Sequence, residues 1–515
     1  MSNDPQSVGT EEFELKLLLP PKGLEKLRRS PLWRGLRDTG VRELHSTYYD
    51  SADRRLLKNG FTLRVRRSGE AAEQTLKWDG AGGRALARRE WRWPLASSEA
   101  AVEPLAAVDP LAQVADFDPA TLRPLCDVVY RRAVRLWEHD GTTLEVALDA
   151  GAIEAEAGSE SLSELEIELK SGDPAAVFAL ARSVNDVLPV SPSTESKGER
   201  GLTLPADGRA AWHKPGVQPL DPAMSLDDVL AGMIGASLAH LSKNLACARQ
   251  GSHEEGVHQV RVAVRRLRAV LKLFKAVLPG PRERDLDVRL RDLARALGPV
   301  RDLDVFRNAL LAGAQAASPS TRAVEQIDRM AAKLQANAQA EATRALTSPE
   351  FGRLVIDLHE WRALRRWREQ PVSEASALLF QPAQQVVGQR LERLHGKVVR
   401  RGKGFAGLEA DARHELRIQV KRLRYAVDLF GALYDAKKVK RYRTRVSRVQ
   451  DQLGNNNDAV MAEGVIRQLL LSRHSLEFTL AAGAVLGWLR CAAQAREGSV
   501  VEDWAAFRAA AKPWR

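Results

Sequence analysis

The sequence is poor in cysteine, in aromatic residues and in long apolar runs, and each shortage excludes something. Its 515 residues hold three cysteines, Cys126, Cys247 and Cys491, with no CxxC spacing, so neither a disulfide framework nor a zinc site is encoded. No apolar run approaches the roughly 18 residues that a membrane helix needs. The opening MSNDPQSVGT has neither a basic nor an apolar stretch, so a cytoplasmic location is expected, without secretion or membrane insertion. Aromatic residues make up 6% of the chain, and the basic segments lack the interleaved aromatics that stack on single-stranded nucleic acid. What is there is an ordinary folded composition, 44% hydrophobic and 28% charged, on a chain long enough for two or three domains.

The net charge of +12 is unevenly spread. Residues 1–200 carry 27 Lys and Arg against 33 Asp and Glu, whereas residues 201–515 carry 51 against 33. A basic part of that size suits a polyanion such as nucleic acid, an anionic membrane or polyphosphate, although a solvated charged surface gives the same count.

Residues 11–203 read as strands. Short alternating segments such as EFELKL, FTLRVRR, QTLKW, REWRW, LEVALDAG and LSELEIELK are separated by Gly, Asp and Ser. The stretch GLTLPADGRAAWHKPGVQPLDP then concentrates Gly and Pro, as a linker does. Residues 223–515 are rich in Ala, Leu and Arg at helical spacing, and they contain a duplication. At an offset of 156, HQVRVAVRRLRAVLKLFKAVL (258–278) lies over HELRIQVKRLRYAVDLFGALY (414–434), and LGPVRD (297–302) lies over LGNNND (453–458). A single period between two copies predicts a duplicated helical bundle with pseudo-two-fold symmetry.

The strands carry unusual charge. Glu12, Glu14 and Lys16 alternate with Phe13, Leu15 and Leu17; Arg64 and Arg66 alternate with Leu63 and Val65; Glu164, Glu166 and Glu168 alternate with Leu165, Ile167 and Leu169. Lys77 follows Leu76, and Arg88 and Glu90 alternate with Arg89 and Trp91. One such strand would be a half-buried strand facing water. Repeated over several strands, faces holding little but carboxylates and cations give one acidic and one basic wall if the sheet closes with them inward. That is a site for a metal-bound polyanion: a hard divalent ion relieves repulsion among clustered carboxylates, and Arg and Lys neutralise phosphate oxygens.

The Glu12-x-Glu14-x-Lys16 opening resembles the ExExK signature of the CYTH superfamily, the triphosphate tunnel metalloenzymes. The resemblance extends over residues 11–203 through STYYDSADRRLLKNGFTLRVRR, QTLKW, ARREW, VALDAG, SELEIELKSG and SKGERG. It implies that Glu12, Glu14, Glu166 and Glu168 hold Mg²⁺ or Mn²⁺, with Glu164 assisting and Asp149 completing the acidic wall. It further implies that Lys16, Arg64, Arg66, Lys77, Arg88, Arg132 and Lys197 grip the triphosphate, with Arg131 and Arg135 as alternatives to Arg132 in the YRRAVRLW strand. The implied reaction is phosphoanhydride hydrolysis without a Ser, Cys or His nucleophile. The family handles several triphosphates, and members with a helical partner domain point to inorganic triphosphate; thiamine triphosphate is an alternative.

Each copy of the helical repeat carries two stripes. His258, Arg261, Arg265, Arg268 and Lys272 form a basic one beside the apolar Val260, Val264, Leu267, Leu271 and Phe274. The second copy repeats them as His414, Arg417, Lys421 and Arg424 beside Leu416, Val420, Leu423, Val427 and Phe430, with Asp428 in place of Lys272. A basic stripe can be a solvated face; the repeat symmetry and the leading histidines favour a shared anion groove. HxxRVxxRRLR, repeated as HxxRIxxKRLR, resembles the CHAD domain, the conserved histidine α-helical domain. This implies binding of inorganic polyphosphate, with Lys243, Arg249, Arg393, Lys397, Arg400 and Lys403 as candidate extensions of the surface.

The fold expected is a two-domain α+β chain. An N-terminal antiparallel β tunnel barrel with peripheral helices (1–203) is followed by a linker (204–222) and an all-α domain of two pseudo-symmetric four-helix bundles (223–515). The function expected is metal-dependent hydrolysis of inorganic triphosphate joined to polyphosphate binding, which would place the protein at polyphosphate granules. The alternative is a non-catalytic polyphosphate-binding scaffold. Neither a membrane nor nucleic acid is expected as a partner, the latter because RNP, zinc-finger and zipper patterns are all missing.

Overall fold

Alternation of apolar and charged residues gives each N-terminal segment two chemically different sides, which is what a strand needs when its sheet is buried on one face and lines a polar site with the other. The computed structural model describes residues 13–69, 71–78, 89–97, 99–216, 218–315, 320–471, 475–495 and 500–515. Among the described residues, nine strands form one sheet: β1 (Phe13–Leu18), β2 (Arg37–Asp50), β3 (Phe61–Ser68), β4 (Ala71–Trp78), β5 (Arg89–Leu95), β6 (Arg123–His139), β7 (Thr142–Ala155), β8 (Gly158–Ser171) and β9 (Ser191–Ser193). Their order is β5-β4-β3-β2-β6-β7-β8-β1-β9, and every pairing is antiparallel. The sheet curls so that side chains of β1 to β6 and β8 and the end of β9 face one cavity.

The apolar side of this sheet is a core. Leu15, Leu17, Val146, Leu148, Leu165 and Ile167 are buried against Val177, Phe178, Ala181 and Val184 of helix α1 (Ala175–Val187). Each such side chain contributes about 1.5–3 kcal/mol when taken from water, so the alternation fixes which side of each strand turns inward. A second helix, α2 (Lys197–Leu202), starts with a capping box: Ser196 Oγ accepts from Glu199 N at 3.1 Å and Glu199 Oε2 accepts from Ser196 N at 2.8 Å. Its two glycines allow it to press into the sheet. A Cβ on Gly198 would collide with the Tyr48 ring, and one on Gly201 with Cys126 Sγ.

The remaining chain is helical: α3 (Leu226–Gln250), α4 (Glu254–Leu273), α5 (Pro281–Ala296), α6 (Gly298–Val305), α7 (Thr321–Leu346), α8 (Pro349–Ala363), α9 (Ala383–Arg401), α10 (Ala410–Phe430), α11 (Ala436–Leu469), α12 (Leu476–Ala495) and α13 (Val500–Arg508). The sequence repeat is a repeat of helices, since α9, α10 and α11 begin within one residue of where the offset of 156 places α3, α4 and α5. The copies differ at LGPVRD and LGNNND. Pro299, which cannot donate to the helical ladder, stands in the first turn of α6 and breaks the first copy there, whereas the second copy runs unbroken through α11. Among the described residues, no helix is long and apolar enough to cross a membrane.

The chain packs as two units that are not contiguous in sequence. The first contains the sheet together with Ile234–Gln259 and Leu346–Arg366. Here α8 packs on α1, and Arg249 of α3 points inward, donating to Ser191 Oγ at 2.7 Å and to the Leu346 carbonyl. Arg249 therefore does not extend a basic surface. The second unit holds the other helices, whose core joins both copies of the repeat: Phe306 and Ile327 cluster with Ile466, Phe478 and Val485.

Candidate functional site

The curled sheet encloses a cavity of about 140 Å³ with the two walls that the charge alternation predicts. Glu14, Glu166 and Glu168 supply carboxylates, and Lys16, Arg64, Arg66, Lys77, Arg92, Arg132 and Lys197 supply cations. Register explains the grouping. Glu14 pairs with Glu168 and Lys16 with Glu166 across β1 and β8, Arg132, Asp149 and Glu164 form a row across β6, β7 and β8, and Arg64 lies opposite Tyr48. Arg132 is the member of its trio that faces the cavity. Arg131 turns outward toward Glu43, and Arg135 donates to the Trp33 carbonyl at 2.6 Å.

Below the acidic wall lies a dense ion network. Lys197 Nζ is 2.8 Å from Asp149, 2.8 Å from Glu164 and 2.6 Å from Glu166. Arg132 grips Asp149 with two hydrogen bonds of 2.8 and 2.7 Å and also donates to Glu166. Arg200 reaches Glu164 at 3.1 Å. Burial would raise the pKa of Glu166, but Arg132, Lys197 and Lys16 together hold it well below the usual carboxylate range. For the fully buried Glu164, burial outweighs Lys197, and its pKa is raised. Asp149 and Glu164 thus lie behind the cavity surface as counter-ions and do not line it.

The opposite wall is organised around another buried carboxylate. Glu90 is 3.0 Å from Lys77, 3.0 Å from Arg92 and 3.8 Å from Arg64. Against the effect of burial, Lys77 and then Arg92 and Arg64 lower its pKa to about 2. Because the folded-state pKa is depressed, the associated stability is present above the unfolded value of 4.5 and is lost as pH falls through about 2. Glu90→Gln is expected to destabilise the protein at pH 7 by on the order of 2–3 kcal/mol, with the deficit shrinking across that acidic window. Urea titrations at a series of pH values measure it, and a deficit independent of pH would contradict the assignment.

Three comparisons bear on what this arrangement belongs to. The family model of the CYTH domain matches residues 10–202, and that of the CHAD domain matches residues 232–467. The chain carries a CYTH domain followed by a CHAD domain. An inorganic triphosphatase from Haemophilus influenzae is 30% identical over 202 residues, which is 39% of this chain and 56% of that protein, so the chain spans little more than half of that curated relative. The crystal structure of the CHAD domain from the plant Ricinus communis is similar at a TM-score of 0.51 and 27% identity, over 59% of this chain and 98% of that one. A Hippeastrum protein described as a putative adenylyl cyclase with dominant triphosphatase activity is 20% identical, at a TM-score of 0.28, over 37% of this chain and 94% of its own.

In the CHAD domain the two stripes separate as their spacing predicts. All ten residues of the apolar stripes, from Val260 to Phe274 and from Leu416 to Phe430, are buried. The equivalent residues Phe274 and Phe430 meet edge to face, with centroids 5.5 Å apart, so the duplicated helices touch near their ends. Of the basic residues, His258, Arg261, Arg265, Arg268, Arg417, Lys421 and Arg424 are half-buried, and Lys272 and His414 are exposed. Arg261 donates to the Ala294 carbonyl at 2.7 Å, Arg268 pairs with Asp287 at 2.8 Å, and Arg265 stacks over Tyr425 at 4.7 Å. Partial burial of its stem and then Arg268 lower the pKa of Lys272, against the opposing pull of Asp287.

Glu12 and Arg88 lie outside the described residues. Among the described residues, no three His, Cys, Asp or Glu side chains converge closely enough to hold a metal ion. Each described cavity carboxylate is engaged by cations: Lys16 holds Glu14 at 2.9 Å, Lys170 holds Glu168 at 2.6 Å, and Arg132 and Lys197 hold Glu166. Sequence reasoning missed the neutral lining, Tyr48, Thr62, Ser193, Thr194 and Ser196, and the cation Arg92. Arg92 was within reach, since it alternates in step with Arg88 and Glu90.

Proposed function

We propose that the CYTH cavity binds and hydrolyses inorganic triphosphate with a divalent metal ion, and that the CHAD helices bind inorganic polyphosphate. The observation that carries the first part is the facing, among the described residues, of three cavity carboxylates by seven cations in one small space. The similarity to an inorganic triphosphatase supports it.

The donor chemistry fits a hard cation. The lining offers Glu14, Glu166 and Glu168, all oxygen donors, with no His or Cys among them, and suits Mg²⁺ or Mn²⁺. These three, together with Glu12, are the residues that would hold the ion, with Asp149 and Glu164 as counter-ions to Arg132 and Lys197. A divalent ion there supplies Lewis-acid stabilisation of phosphoryl charge. The chain's own part is positioning. Lys16, Arg64, Arg66, Lys77, Arg132 and Lys197 neutralise phosphate oxygens, arginines in bidentate fashion, while a cavity carboxylate accepts a hydrogen bond from the attacking water. The burial of the cations makes these contacts stronger than they would be in water.

Phosphate release from inorganic triphosphate, thiamine triphosphate, ATP and pyrophosphate at equal concentration tests the substrate. Inorganic triphosphate is expected to be turned over fastest, and a preference for thiamine triphosphate would reassign the cavity. The competing reading is a scaffold that holds phosphate chains without turning them over. It draws on the ion pairing of every described cavity carboxylate, each of which has to be released before metal is held.

For the CHAD helices, replacing Arg265, Arg268, Lys421 and Arg424 together by Ala is expected to weaken polyphosphate binding at least about tenfold and to flatten its salt dependence. Binding titrations at several salt concentrations read both, and wild-type affinity in the quadruple variant would contradict the assignment. Such binding would hold the enzyme at polyphosphate granules.

A further inference from the structure

The cations of the cavity differ in what holds them, and one stands apart. Lys16, Lys77, Arg92, Arg132 and Lys197 all pair with carboxylates. Arg66 forms no ion pair among the described residues. Its Nη2 donates to the Tyr130 hydroxyl at 2.9 Å and its Nε to Ser46 Oγ at 3.2 Å, both neutral acceptors. Burial, and then the neighbouring Arg64, pull its pKa below the usual guanidinium value, as befits a charge left uncompensated.

Tyr130 itself is 3% exposed, and it lies behind the cavity surface. Three of the cations gather around it. Besides accepting from Arg66, it presents its ring to Arg132, whose Cζ is 5.7 Å from the centroid, and to Lys197, whose Nζ is 5.5 Å away. Its place is built into the sheet. Gly151 stands opposite it on β7, where any Cβ would collide with the backbone of Val129 and Tyr130.

A carboxylate at this position would hold three cations firmly, but it would cancel charge that a phosphate chain needs and would repel the chain. A phenol orients cations through a neutral oxygen and an electron-rich face without cancelling them. We propose that Tyr130 is a positioning residue that fixes Arg66 as an uncancelled phosphate anchor, resting on the reading of the cavity as a triphosphate site.

The test is a double-mutant cycle on the full chain, with binding of inorganic triphosphate followed by calorimetry and turnover by phosphate release. Tyr130→Phe keeps the ring and removes the acceptor; it is expected to raise Kd and KM about fivefold, with kcat within about twofold. Arg66→Lys keeps the charge but cannot span Ser46 and Tyr130 with a planar fork. In that background Tyr130→Phe is expected to change Kd by less than about twofold, because the effect runs through Arg66. Equal factors in both backgrounds, or an unchanged Kd in Tyr130→Phe alone, would overturn the positioning role while leaving the site reading intact. A wild-type chain that does not bind inorganic triphosphate would overturn both.

Discussion

Glu166→Gln is expected to lower kcat/KM for inorganic triphosphate by at least about 100-fold, close to 3 kcal/mol of transition-state stabilisation. Glu166 is held well below the usual carboxylate range, with Arg132 and Lys197 on one side and the cavity on the other. Glutamine keeps the volume and removes the charge. Lys197 remains held by Asp149 and Glu164, so the fold survives and the loss reads on chemistry. Steady-state kinetics with urea unfolding as control measure it. A variant within about threefold of wild type would mean that Glu166 serves only as a counter-ion.

Lys197→Met is expected to cost stability as well as a phosphate contact. Lys197 is the shared cation of three carboxylates, of which Asp149 and Glu164 are fully buried. Removing one partner of a buried network leaves charge uncompensated, and a loss of about 3 kcal/mol is expected, at the lower end of the usual range because Arg132 and Arg200 stay in place. The pKa of Lys197 is raised in the folded state, so its contribution is fully present throughout the neutral range and is lost only on the strongly alkaline side. The deficit of the variant should therefore be full at pH 7. It should shrink as pH falls, because carboxylates without their cation protonate more readily. Urea unfolding at pH 7 and pH 5 separates the outcomes, and a deficit that grows on acidification would contradict the network.

Much of this was legible from period alone. Alternation at two residues placed Glu14 and Lys16, Arg64 and Arg66, and Glu166 and Glu168 on the cavity side, since a strand has only two faces and the apolar one is fixed by burial. The 3.6-residue period likewise separated the buried Val260-to-Phe274 stripe from the basic one. Depth was not legible. Asp149 and Glu164 share the cavity side of their strands, yet they sit behind the surface because α2 presses Lys197 over them, an insertion set by tertiary packing. Even there a signal existed: the S-x-x-E box at Ser196 and the glycines at 198 and 201 mark a short helix pressed against something bulky. Arg249 was misread for a related reason. Its spacing matches that of exposed arginines, and only the docking of α3 beside β9 turns it toward Ser191. The unequal repeats follow from one residue, Pro299, whose missing N–H breaks the first copy where the second continues.

The metal-dependent triphosphatase proposed for the CYTH cavity is tested most directly by phosphate release from inorganic triphosphate by the full chain. The assay compares Mg²⁺ or Mn²⁺ with an excess of chelator, for wild type and for Glu14→Ala. Turnover that needs the metal and is lost in Glu14→Ala is the predicted result. A well-folded wild type that releases no phosphate with either metal, or that releases it equally well under chelation, would contradict it.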